Sequence, residues 1–269
     1  MVGRPLQQVF PRTRIPSVSE RGDPEVLLRV EGLTCEGMFE GVSLEVRSGE
    51  VVGLAGLVGS GRSELLRTLF GIDPWVKGVL QVGDLELAGH RPDAAIAAGV
   101  AFAPEDRKSE GLVLEQSVAD NLRLPRLSRD GGRLGFVGRR DFDSEAEALR
   151  SQLGIRTPSL QQESRLLSGG NQQKVVLGKW LAMQPKVFLL DEPTRGVDIG
   201  AKSEIYGLID VLARQGMAVL FASSELEEII GLADRVLVMH EGAVTGELAR
   251  HELSEEAIMN LATNKAGVA

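Results

Sequence analysis

The spacing of apolar and polar residues changes period repeatedly along this chain. Residues 26–30 (VLLRV) and 42–46 (VSLEV) alternate the two types, which predicts half-buried strands. Residues 50–56 (EVVGLAG) form a short apolar run, the pattern of a buried strand. Leu65, Leu66 and Leu69 then recur at helical spacing, and Gly71 supplies a stop. Residues 79–82 and 85–87 flank Gly83-Asp84 and predict a hairpin, and 100–103 (VAFA) predicts another strand. From Ser117, a natural N-cap, to about Gln152 the pattern is mostly helical, with an interruption at Gly131-Gly132. A long helix is predicted from Ser168 through Met183, with Val175, Val176, Trp180 and Leu181 on its apolar side and Pro185 ending it. Residues 203–214 place Ile205, Leu208, Ile209 and Leu212 on one helical face. Residues 187–190, 217–222 and 235–239 read as buried strands. Strands alternating with helices predict an α/β core around a parallel sheet, with the helical middle as an insertion. Residues 1–24, with Pro5, Pro11 and Pro16 and no sustained period, read as a linker or tail.

Composition narrows the class. The chain has 269 residues, 25% charged, and a mean hydropathy near zero, as expected of a globular protein with one large domain or two small ones. Net charge is −8 and aromatic residues make up only 4%, which argues against nucleic acid as a partner. A single cysteine, Cys35, excludes an internal disulfide framework and fits a reducing compartment. The apolar runs are too short to cross a bilayer, and the start M-V-G-R-P-L lacks the apolar core of a signal peptide. Any membrane role is expected to be peripheral. His90, His240 and His251 show no metal-ligand spacing.

Three stretches carry chemistry. Gly56 to Ser63 (GLVGSGRS) lies between a predicted strand and a predicted helix, where successive N–H groups and the helix N-terminus attract phosphate. It matches the outer glycines and the final serine of G-x-x-x-x-G-K-[ST], but Arg62 stands in place of lysine. The competing reading is a dinucleotide-binding turn beginning at Gly59-Ser60-Gly61, which Glu64 at the last position disfavours. Residues 187–198 (VFLLDEPTRGVD) end an apolar strand on Asp191, a metal-ligand type, and Glu192, a carboxylate that can position water. Residues 167–174 (LSGGNQQK) open a helix with Ser168 and two glycines. Two glycines in a first helical turn cost roughly 1 kcal/mol each against alanine, which argues for close approach of a ligand.

Together these stretches, with APEDRKSEGL at 103–112 and SSELEEI at 223–229, resemble the nucleotide-binding domain of ATP-binding cassette (ABC) transporters. The resemblance covers roughly residues 26–263 and is greatest to the second cassette of double-cassette ATPases from bacterial monosaccharide importers. It implies a P-loop NTPase fold with a mostly parallel core sheet, an N-terminal antiparallel β subdomain and a helical subdomain near 106–170. The cassette is then expected over 25–263, residues 1–24 match an inter-cassette connection, and 264–269 form a tail. ATP and Mg2+ are the implied ligands. Gly56, Gly59, Ser60, Gly61, Arg62, Ser63 and Glu64 would hold the phosphates. Ser63, Asp191 and Glu105 would face the metal, and Glu192 would orient water. Ser168, Gly169, Gly170 and Asn171 form the signature, which in this superfamily reaches the nucleotide of an opposing cassette, and Asp198 matches a residue that communicates between cassettes.

Three positions depart from the pattern. Arg62 replaces lysine, Glu105 replaces a glutamine, and Ser224 replaces a histidine whose charge a hydroxyl cannot supply. All three fall on the chain's own nucleotide pocket and none on the signature. The expectation is therefore an ATPase subunit of a monosaccharide importer, weak on its own, whose signature completes a partner's site. Implied partners are a second cassette, transmembrane permease subunits and, indirectly, an extracytoplasmic sugar-binding protein. The implied location is the cytoplasmic face of the membrane. A non-transport ABC ATPase and a regulatory pseudo-ATPase are the alternatives. Phe39 is the one aromatic near the expected adenine position.

Overall fold

A computed structural model describes residues 24–130 and 139–263. The Gly131-Gly132 interruption and both tails lie outside the described residues. Two sheets share the chain. The first is antiparallel and contains β1 (Val26–Cys35), β2 (Phe39–Arg47), β4 (Lys77–Val82) and β5 (Leu85–Glu86), in the order β2-β1-β4-β5. The second contains β3 (Val51–Gly56), β6 (Val100–Ala103), β7 (Val187–Asp191), β8 (Ala218–Ala222), β9 (Arg235–His240) and β10 (Ala243–Ala249), in the order β10-β9-β3-β8-β7-β6. All of its pairings are parallel except β10 on β9.

The helices are α1 (Arg62–Phe70), α2 (Pro92–Ala98), α3 (Val118–Asp130), α4 (Arg139–Gln152), α5 (Gly169–Leu181), α6 (Ile199–Arg214), α7 (Leu226–Leu232) and α8 (Glu255–Thr263). Every residue of β6, β7 and β8 is buried, as parallel strands covered on both faces must be. α3 and α4 occupy the predicted helical middle, and Ser117 Oγ accepts from Asp120 N at 3.0 Å at the start of α3.

Several boundaries differ from the apolar pattern for identifiable reasons. The strand expected from Glu50 begins at Val51, because the Glu50 carboxylate accepts from Arg47 N at 2.9 Å and pairs with Arg235 at 2.7 Å. α6 starts at Ile199 rather than Ser203, because Asp198 Oδ1 caps it by accepting from Ala201 N at 3.0 Å. β10 was not predicted: it is an edge strand with no fully buried residue. α2 and α7 have seven residues each, too few to establish a period.

The register sets the site. Asp191 pairs with Ala222 and Leu54 with Ala222, so the carboxyl ends of β3, β7 and β8 lie side by side. The loops that follow these three strands open on one edge of the sheet, where ligands of open α/β sheets bind.

Candidate functional site

The loop after β3 needs its glycines. A Cβ on Gly56, at φ +151°, would sit 2.3 Å from the Met239 carbonyl oxygen. Gly59 and Gly61 adopt φ of +80° and +99°. No side chain caps α1 at Gly61, so the N–H groups of its first turn remain available to an anion. Ser60 is buried, and its hydroxyl has no hydrogen-bond partner. An orphaned donor costs free energy unless a ligand completes it. Residues 58–64, Glu105, Glu192, Arg195 and Ser224 line one cavity of about 510 Å3.

The neighbouring strand ends supply the carboxylates. Ser63 Oγ donates to Asp191 Oδ1 at 3.1 Å. Burial pushes the Asp191 carboxyl up to about 6, with the Ser63 hydrogen bond opposing and the Glu192 charge adding. Glu192 holds φ at +47°, a left-handed conformation that costs a glutamate roughly 1 kcal/mol. Its N–H donates to Ala222 O at 2.9 Å, and its carboxylate accepts from Ser224 Oγ at 3.1 Å. Arg62 is buried and donates to the Ser223 carbonyl at 2.5 Å. Burial lowers its pKa, while Glu192 and Asp191 oppose that shift.

Glu105 faces the cavity with a partner: its carboxylate pairs with the Arg195 guanidinium. Arg195 is itself anchored through its backbone. Arg107 donates to the carbonyls of Arg195 (2.6 Å) and Gly196 (3.3 Å) and to Gln172 Oε1 (3.4 Å), tying the turn after β7 to α5. Arg107 and Arg195 had no role in the sequence reading. Both stand inside the quoted stretches, but what they touch lies about 65 to 90 residues away.

The signature residues do not line this cavity. Ser168 is exposed and holds the N-cap position of α5, but its side chain does not cap the helix. Instead its hydroxyl accepts from Asn171 Nδ2 at 2.9 Å, and Asn171 Oδ1 accepts from Arg156 N at 2.8 Å. The glycine pair also has a packing reason, beside the ligand-approach argument. A Cβ on Gly170 would lie 2.4 Å from Ala201 Cβ on α6, and one on Gly169 would lie 2.8 Å from the Arg107 guanidinium. Gly170→Ala is therefore expected to separate α5 from α6 and to cost about 1–3 kcal/mol, measured as a lowered denaturation midpoint at unchanged slope. Phe39 is buried in β2 and offers no face for stacking, so the one aromatic near the expected adenine position is not available.

The sequence model of the family described as "ABC transporter" matches residues 39–195. The chain belongs to the ABC transporter family. This cassette is 51% identical over 264 residues to a ribose import ATP-binding protein (RbsA 2) of Streptomyces coelicolor, covering 98% of this chain and 50% of that protein. It is 45% identical to the ribose import ATP-binding protein RbsA of Bacillus licheniformis, covering 98% of this chain and 52% of that one. The chain thus spans about half the length of the curated relatives it matches. Among solved structures, a nucleotide-free ATP-binding cassette from an ABC transporter superposes with a TM-score of 0.76 at 21% identity, covering 89% of this chain and all of that one. An ATP-binding cassette solved as a dimer bound to ADP and Pi gives a TM-score of 0.72 at 20% identity, covering 83% and 98%. These likenesses confirm the expected fold: an α/β P-loop cassette with an antiparallel N-terminal sheet and helical segments around the core.

A divalent metal fits the donor set. Ser63 and Asp191 offer a hydroxyl and a buried carboxylate within hydrogen-bond distance of each other. Among the described residues no group of three or more His, Cys, Asp or Glu side chains is placed to hold a metal. Mg2+ ordinarily takes one or two protein oxygens and completes its shell with water and phosphate. No helix among the described residues is long and apolar enough to cross a membrane.

Proposed function

We propose that this cassette binds Mg-ATP in the cavity between the ends of β3, β7 and β8 and energises monosaccharide import through a membrane permease. The observation that carries the reading is the convergence on one cavity of the glycine loop, of Ser63 with Asp191 hydrogen-bonded to it, and of the Ser224–Glu192 pair. The names of the ribose import relatives support the sugar-import part.

The loop N–H groups and the orphaned Ser60 hydroxyl bind phosphate oxygens, and Arg62 supplies positive charge. Ser63 and Asp191 would hold Mg2+, which when bound neutralises developing phosphate charge. Glu192, its carboxylate oriented by Ser224, accepts a proton from, or aligns, the attacking water. Three features make the pocket slow. Arg62 is committed to the Ser223 carbonyl, and its planar fork does not reproduce the point charge of a lysine. Ser224 brings no positive charge to the water-positioning carboxylate. Glu105 spends the charge of Arg195 in an ion pair rather than on a triphosphate.

The signature completes the active pocket of a second cassette, and hydrolysis there drives opening and closing of the pair. Exposed apolar residues at the edges of the motifs support such a partner: Val58 in the glycine loop, Leu166 before the signature and Ile199 after Asp198. The assembly sits on the cytoplasmic face of the membrane, with an extracytoplasmic sugar-binding protein delivering substrate. The double substitution Arg62→Lys with Ser224→His is expected to raise turnover by this cassette's own pocket roughly tenfold or more, read by phosphate release. No increase would overturn the degenerate-site reading.

A further inference from the structure

Directly beneath the cavity lies a carboxylate that the proposed chemistry does not use. Glu228, on α7, is 1% exposed. Its Oε2 accepts from Ser223 Oγ at 2.5 Å and its Oε1 from Thr194 Oγ1 at 3.1 Å. Thr194 is fully buried and stands two residues after Glu192, in a turn closed by Arg195 N donating to Glu192 O at 3.1 Å. Ser223 stands directly before Ser224, and its carbonyl holds Arg62. One carboxylate therefore fastens both turns whose side chains meet in the 3.1 Å Ser224–Glu192 hydrogen bond.

We propose that Glu228 is a positioning residue of this pocket, whose ionised carboxylate keeps Glu192, Ser224 and Arg62 in register for a nucleoside triphosphate. The proposal rests on the nucleotide-binding reading above. Two hydroxyl donors need two acceptor oxygens, which only the ionised form offers in full; a protonated carboxyl must itself find an acceptor. Few groups face it. Tyr206 approaches from α6, with its own ionisation suppressed by burial and by the Glu228 charge. Glu192 approaches from the turn after β7, and Glu225 from the N-cap position of α7. β3 packs on α7 with the apolar run Val51–Gly56, and α8 contributes the buried Ile258 and Ala262 while its Glu255 and Glu256 are exposed. Burial raises the Glu228 carboxyl from 4.5 to about 7, opposed by the Ser223 and Thr194 hydrogen bonds. Ionisation thus falls within the neutral range. The sign for stability is the reverse of that for function. The folded state holds this proton more tightly than the unfolded one, so stability declines as pH rises from 4.5 through about 7.

The test is binding of a fluorescent ATP analogue carrying an N-methylanthraniloyl group, with Mg2+, to the full chain across the neutral range. Glu228→Gln mimics the protonated form at constant shape. Wild type is expected to bind about fivefold more tightly than Glu228→Gln near pH 8, with the difference vanishing near pH 6. The titration of the nucleotide is common to both proteins and cancels in the ratio. Near pH 8 Glu228→Gln is expected to melt no lower than wild type, which separates positioning from unfolding. Thr194→Val, which removes one of the two donors, is expected to move affinity in the same direction by about threefold. Glu227→Gln, an exposed carboxylate on the same helix, is expected to track wild type. Equal affinity of wild type and both pocket variants at all pH values, or the same loss in Glu227→Gln, overturns the proposal. Absence of analogue binding by wild type overturns the nucleotide reading itself.

Discussion

Placing arginine at Ser168 is expected to lower the ATPase rate of a two-cassette assembly on the order of 100-fold, while Glu192→Gln in the same cassette changes it by about twofold or less. Ser168 is exposed and no side chain caps α5, so the helix presents an unpaired hydroxyl proton and free N–H groups outward. An anion seated there in a partner's pocket would gain both the hydrogen bonds and the dipole. An arginine fork fills that space and adds a cation at the end of the helix that disfavours one. Glu192, by contrast, serves only this cassette's own pocket, which on the proposed reading is the slow one. Phosphate release from the reconstituted assembly measures both variants. If the rate depends equally on the two residues, the asymmetric reading fails and the two pockets share the work.

Gly56→Ala is expected to be the most damaging single methyl group in the pocket. The added Cβ would lie 2.3 Å from the Met239 carbonyl oxygen and 2.6 Å from Ser60 Oγ. The first neighbour is β9 backbone, paired with β3 in register, and cannot withdraw without parting the sheet. A cost of several kcal/mol follows, lowering the melting temperature by about 10 °C and abolishing nucleotide retention. Gly59→Ala is the contrast. Its φ is also positive, at +80°, but its Cβ would meet nothing within 4 Å. Only backbone strain of about 1 kcal/mol applies there. Calorimetry of the two variants separates contact from conformation, and equal melting temperatures would show that the close approach at Gly56 is unimportant.

The parts of the site legible in sequence are those where residue type and strand end coincide. Ser63 and Asp191 stand 128 positions apart, yet each follows a buried apolar run at a point where parallel strands must end together. Their meeting follows from the pattern once a parallel sheet is accepted. Residues whose role depends on what they touch were not legible. Lys179, given no role by the sequence pattern, is buried against the Gly111 carbonyl, with its ammonium pushed down to about 8 by desolvation. Glu228 stands in the quoted stretch SSELEEI with no role read for it there, and only the packing of α7 against the sheet drives it inward. The glycines of the signature were legible as costly, but the cost is met by the contact of α5 with α6 as well as by any ligand. Asp198, which by resemblance matches a residue communicating between cassettes, also begins a helix.

The three-way grip of Arg107 has a mechanical consequence. Arg195 is held twice, at its carbonyl by Arg107 and at its side chain by Glu105, and the same Arg107 reaches Gln172 in the first turns of α5. The mouth of the cavity and the outward-facing end of α5 are therefore joined through a single guanidinium. Displacing either is therefore expected to strain the other through the hydrogen bonds of that one side chain.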